Sequence, residues 1–271
     1  MDPEHPLRAA LDAAEPKPDP RGEREDKRNY AQRLSNHLAQ TMADALRDTY
    51  KGVTPRADGT GQESAVPVDG GHKRLDVKVT DPALGLILSV SIKTYSFRDY
   101  DKKKDRLTRW TKNIVRNDHE LRGEATVLHQ RQPYAVLAGI LFAPLEMCDD
   151  GNTRTQSSFA HAVNTLKKRA GRGRRAVFGL GEGGYMDLGA EDPRFDRFER
   201  VFVGLYEQRE PDRGAVRFFD VEQPPPRTGR PADTRTLSIS ELVAELEVEV
   251  ERRNQTAPTW DDLPESEADA S

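Results

Sequence analysis

Arg74-Leu75-Asp76-Val77-Lys78-Val79, then Thr80-Asp81-Pro82-Ala83-Leu84-Gly85, then Leu86-Ile87-Leu88-Ser89-Val90-Ser91-Ile92-Lys93 run without interruption, and this stretch decides the fold. Its first segment alternates, with Leu75, Val77 and Val79 on one face and Arg74, Asp76 and Lys78 on the other. In the last segment Leu88, Val90 and Ile92 share a face, and Ser89, Ser91 and Lys93 share the opposite one. Pro82 and Gly85 mark a tight turn between them. The pattern predicts a β-hairpin over 74–95 whose polar side brings Asp76 and Lys93 together. A carboxylate and an ammonium beside a strand end suit metal-assisted hydrolysis of a phosphodiester. The acid holds a cation, and the ammonium orients water or offsets developing charge.

Outward from the hairpin, Tyr30, Leu34, Leu38, Ala45 and Leu46 recur near helical spacing and predict an amphipathic helix over 26–50. A loop follows, with a short strand near 65–68. After the hairpin comes a basic, irregular segment (96–112), then a helix over 113–130 ended by Pro133. The apolar run Tyr134-Ala135-Val136-Leu137-Ala138-Gly139-Ile140-Leu141-Phe142-Ala143 reads as a strand buried on both faces. Further expectations are a helix over 157–170, strands at 176–180, 200–206 and 215–221, and an acidic helix over 238–253. Residues 1–25, rich in Pro, Asp, Glu and Ala, read as a disordered tail, and 254–271 as an acidic one. The remainder, 26–253, reads as a single α/β domain with a mixed central sheet flanked by helices.

The 271 residues are 32% charged and 35% apolar, with a formal net charge of −4. That average conceals segregated charge. The single cysteine, Cys148, excludes an internal disulfide and a Cys-rich zinc site, and reads as a small buried residue. No apolar run reaches the ~20 residues of a membrane span, and the N-terminus lacks a signal-peptide pattern, so the expected location is cytoplasmic. Gly179-Leu180-Gly181-Glu182-Gly183-Gly184 lacks the strand–turn–helix context and the Lys-Ser/Thr ending of a phosphate loop.

A leading helix, a hairpin carrying an Asp and then an x-Lys, a helix and a buried strand resemble the core of the PD-(D/E)xK nuclease superfamily, over roughly residues 26–145. The resemblance implies a restriction-endonuclease-like fold, with Mg²⁺ held by the Asp and by the acid two residues before the Lys. Asp76 and Lys93 match those places. Ser91 stands where the second acid belongs, and serine brings no negative charge. Some restriction enzymes of this superfamily carry Ser-x-Lys and take a Glu from the following helix. Glu120 and Glu124, four apart on one helical face with Arg116, are the candidates here. The implied metal ligands are Asp76 with Glu120, or with Glu124 second in rank.

Two basic clusters point to a polyanion. Between residues 102 and 116 there are seven cations, Lys102, Lys103, Lys104, Arg106, Arg109, Lys112 and Arg116, against one acid, Asp105. Phe97, Tyr100 and Trp110 lie close by as surfaces for base stacking. Between 167 and 175 six of nine residues are basic, among them Lys167, Lys168 and Arg169. His129 is a candidate phosphate contact, and a structural helix-end histidine is the alternative. The combined expectation is a Mg²⁺-dependent DNA endonuclease acting in restriction or defence against foreign DNA. Two alternatives stand beside it: a catalytically inactive DNA-binding or scaffolding subunit, and an α/β protein-interaction module. A homodimer and a partner subunit are both left open.

Overall fold

In the computed structural model, residues 4–68, 71–152, 154–176, 184–255 and 257 are described. The elements in chain order are α1 (Arg8–Ala14), α2 (Arg24–Leu46), β1 (Val53–Thr54), β2 (Ser64–Val68), β3 (Gly71–Leu75), β4 (Val77–Asp81), β5 (Gly85–Thr94), β6 (Tyr100–Asp101), β7 (Arg106–Leu107), α3 (Ile114–Arg131), β8 (Val136–Pro144), α4 (Ser158–Leu166), β9 (Arg174–Ala176), β10 (Tyr185–Asp187), β11 (Arg200–Tyr206), β12 (Val216–Asp220) and α5 (Ile239–Asn254). Six strands form one mixed sheet in the order β1-β4-β5-β8-β11-β12. β1, β4 and β5 are antiparallel neighbours, β5, β8 and β11 run parallel, and β12 returns antiparallel. β2–β3, β6–β7 and β9–β10 are separate two-stranded ribbons.

Alternation along the central strands divides the core in two. Val90, Ile92, Ala138, Ile140 and Phe202 pack with α1, α2 and α5 on one face. Leu137, Leu141, Val201 and Val203 pack with α3 and α4 on the other. β8 is buried along its whole length, as its unbroken apolar run requires in a central parallel strand. α3 meets the sheet through Ile114, Leu121, Ala125 and Leu128, one stripe at helical spacing. α5 starts at a capping box in which Ser238 and Glu241 each bond the other's backbone N–H. No helix among the described residues is long and apolar enough to cross a membrane.

Three expectations need correction. The N-terminal stretch, expected to be disordered, contains α1, whose Leu7, Leu11 and Ala14 are buried. Arg8 pairs with Glu210 at 2.9 Å and Arg213 with Asp12 at 3.0 Å, which fastens the helix to the turn after β11. The expected strand over 74–79 is broken at Asp76. Leu75 joins the α3 side of the core while Val77 and Val79 join the α2 side, because the chain turns there from the β2–β3 ribbon into the sheet. The segment 96–112 is not irregular throughout, since it contains the β6–β7 ribbon. Of the expected strand over 176–180, residues 177–180 lie outside the described residues, as does most of the glycine-rich 179–184 stretch.

Candidate functional site

The bend at Asp76 positions the site. β4 pairs with β5 so that Val77 faces Val90, and one step back Asp76 comes beside Ser91. The Asp76 Oδ2 accepts the Ile92 backbone N–H at 2.7 Å, so the carboxylate continues the ladder where the strand stops. Ser89, Ser91 and Lys93 lie on the face of β5 that α3 covers, and this overlap brings helix carboxylates to the lysine. Lys93 Nζ stands 3.7 Å from Glu124 Oε2 and 3.9 Å from Glu120 Oε2. A second cation enters from β3, where Lys73 Nζ is 3.4 Å from Glu124 Oε2. Arg116 holds Glu120 at 2.7 Å one helical turn away.

Burial sets the electrostatics. It pushes the Asp76 carboxyl above the usual range, the Ile92 N–H and the Lys93 ammonium work against that rise, and the nearby charges of Glu124 and Glu63 add to it. The Ser91 hydroxyl is buried with no hydrogen-bond partner. An orphaned polar atom between Asp76 and Lys93 is costly unless something completes it. Glu124 is only 6% exposed, whereas Glu120 is at the surface. Their order as candidate ligands therefore reverses from the sequence reading: Glu124 reaches the interior beside Asp76, and Glu120 is engaged by Arg116.

The donors fit Mg²⁺ in kind. Mg²⁺ is a hard ion that takes one or two carboxylates and completes its sphere with water and substrate oxygens. Asp76 and Glu124 would supply the carboxylates and Ser91 a hydroxyl beside them. Among the described residues no group of three or more His, Cys, Asp or Glu side chains is arranged to hold a metal ion.

Several candidates belong elsewhere. His129 is fully buried, with Nε2 3.2 Å from Glu199 Oε2, and no phosphate reaches it. Trp110 is 3% exposed with Arg98 packed 4.9 Å from its ring centroid, and Phe97 packs edge-on against Tyr30 at 5.5 Å. Neither ring is presented for stacking. Arg109 is bound to Asp150 at 3.0 Å, and Arg169 is buried between Asp118 at 2.7 Å and Asp196 at 2.6 Å. These arginines brace loops and α3. Lys102, Lys103, Lys104 and Arg106 are exposed on the β6–β7 ribbon, with Lys112 and Arg116 exposed at the start of α3. Lys167 and Lys168 are exposed too, although Lys168 reaches Asp118 at 3.0 Å. Cys148 is buried, and burial pushes its thiol up to about 12, which leaves it unreactive.

Sequence reasoning missed Lys73. It lies in Gly71-His72-Lys73-Arg74, where nothing separates it from its neighbours until the ribbon is seen to fold back toward α3. A cavity of roughly 640 Å³ lies at the other end of the sheet, lined by Leu205, Arg217, Arg230 and Ile239, and none of the cluster's residues lines it. Comparison with family models, with curated proteins and with solved structures finds no match for this chain.

Proposed function

We propose that the chain is a Mg²⁺-dependent DNA endonuclease with a restriction-endonuclease-like core, acting in restriction or defence against foreign DNA inside the cell. The observation that carries this reading is the meeting of Asp76, Ser91, Lys93 and Glu124, from a strand bend, a strand and a helix, in one partly buried cluster. The order α2, antiparallel β1–β4–β5, α3, parallel β8 supports it, because it follows the order implied by the resemblance.

In this reading a bound Mg²⁺ would polarise the scissile phosphate and acidify a water. Asp76, fixed by the Ile92 N–H, presents a carboxylate that does not have to reorganise. Glu124 supplies the charge that Ser91 does not. Lys93, tethered between the two helix carboxylates, holds its ammonium beside Asp76, where it orients the attacking water and offsets charge on the phosphoryl oxygens. The exposed cations of the β6–β7 ribbon bind the flanking phosphates.

The test is cleavage of supercoiled plasmid with Mg²⁺ or EDTA, by the parent chain and by Asp76→Asn and Lys93→Ala. Nicking that needs Mg²⁺ and disappears in both variants is expected. Equal cleavage by either variant sinks the assignment. One observation favours a second reading, an inactive DNA-binding subunit: Glu124 is already paired with two lysines. Salt-sensitive DNA retention without cleavage in Mg²⁺ or Mn²⁺ selects that reading.

A further inference from the structure

Asp118 and Glu120 point to nearly opposite sides of α3, since two residues turn a helix by ~200°. On the Asp118 side, away from the carboxylate–lysine cluster, the end of α4, the turn after it and the segment before β11 line an open concavity of roughly 520 Å³. Five cations line it: Lys167, Lys168, Arg174, Arg194 and Arg197. The one carboxylate lining it among the described residues is Glu222. Three of the cations have acidic partners, Lys168 with Asp118, Arg174 with Glu222 and Arg194 with Asp192. Lys167 and Arg197 pair with no carboxylate among the described residues.

Like charges gathered in a concave, partly desolvated place raise the local potential and favour an anion. The wall also carries a planar surface. Tyr185 is 49% exposed, and the Arg174 guanidinium lies 5.3 Å from its ring centroid. An aromatic ring backed by a guanidinium is suited to stacking a base. The volume lies within the ~300–1,000 Å³ of small-molecule sites.

We propose that this cavity binds a free nucleotide, with its phosphate on Lys167 and Arg197 and its base against Tyr185. The site is distinct from the endonuclease cluster and does not depend on that reading. A polynucleotide backbone would need a track of cations along an open surface, whereas these converge on one concavity.

Calorimetric titration of the full chain in EDTA tests it, with AMP, ribose 5-phosphate and inorganic phosphate as probes. AMP is expected to bind, and ribose 5-phosphate at least fivefold more weakly. Lys167→Gln with Arg197→Gln should weaken AMP at least tenfold. Tyr185→Ala should weaken AMP while leaving inorganic phosphate unchanged. Lys167→Gln alone, at an exposed position, keeps the test valid if the double variant fails to fold, and should cost AMP at least threefold. The proposal is overturned if AMP at millimolar concentration gives no heat, or if its affinity is unchanged by Lys167→Gln. Equal affinity for AMP and ribose 5-phosphate would reduce the cavity to a simple anion site. Displacement of AMP by short duplex DNA in the parent chain would make it a contact for nucleic acid.

Discussion

Asp76 is held in a place that opposes its charge. Burial raises its pKa, so the fold binds the proton more tightly than the unfolded chain does. For a carboxyl whose folded pKa is raised, the cost to stability is absent below the unfolded value and grows as pH rises through the folded one. Asp76→Asn keeps the acceptor for the Ile92 N–H and removes that cost. We expect it to melt higher than the parent at pH 8 and equally at pH 3, while cleavage is lost. A variant that melts lower at pH 8 would show that the ionised carboxylate stabilises the fold. Lys93→Ala removes an ammonium from the polar side of β5, without touching the apolar face, and should cost on the order of 10²–10⁴ in cleavage rate. Glu124→Gln should be about as damaging, and Glu120→Gln should cost less than ~10-fold, because Glu120 is at the surface and bound by Arg116. Single-turnover cleavage of one plasmid by the four variants ranks them, and equal effects at Glu120 and Glu124 would remove the argument from burial.

At the scale of elements, the exposed cations are gathered on the β6–β7 ribbon. Changing Lys102, Lys103, Lys104 and Arg106 to Gln leaves the core intact and would delete up to four of the proposed phosphate contacts. The slope of log affinity against log salt should then fall by up to ~3.6, at about 0.9 for each contact. Arg109 is left out because it holds Asp150. Filter retention of a duplex between 50 and 200 mM salt measures the slope, and an unchanged slope means that the ribbon faces only solvent. How far the site can be read from sequence depends on the range of the forces that build it. The alternation that places Ser91 and Lys93 on one face of β5 is local and legible, and so is the four-residue spacing of Glu120 and Glu124. The break at Asp76 is not, because a strand that continues and one that bends have the same alternation. Trp110 reads as a stacking surface in a basic run, yet its backbone N–H bonds Ser158 Oγ at 3.1 Å, a partner 48 residues away. α1 is hidden by averaging, since the four buried apolar positions Leu7, Ala10, Leu11 and Ala14, set among Pro, Asp and Glu, do not reveal the surface they will meet.

For the whole molecule, a charge cluster with no access to water joins the C-terminal helix to the sheet beside their apolar contact. Glu199, at the start of β11, is fully buried with His129 from α3, Arg172 from the loop before β9 and Arg253 from α5. Its Oε1 accepts from Arg253 at 2.9 Å and Arg172 at 3.1 Å, and its Oε2 accepts the Leu137 N–H at 2.7 Å. Gly173 makes this possible, because a Cβ there would stand 1.9 Å from the Arg253 Nη2. Burial alone would raise the Glu199 carboxyl, but His129 and the two arginines outweigh it and hold it down to about 2. A depressed carboxyl contributes stability that is complete above its unfolded value of ~4.3 and is lost as pH falls toward 2. Glu199→Gln leaves two buried guanidiniums without an anion, at a cost of ~3–5 kcal/mol. At ~2–4 °C per kcal/mol that corresponds to a Tm fall on the order of 10 °C at pH 7. The gap between parent and variant should hold from pH 7 to pH 5 and narrow steadily from pH 4 to pH 2, because only the parent has this carboxylate to protonate. Thermal melts across that range decide it. A gap that stays constant down to pH 2 would mean that packing, and not the Glu199 charge, fastens α5 to the sheet.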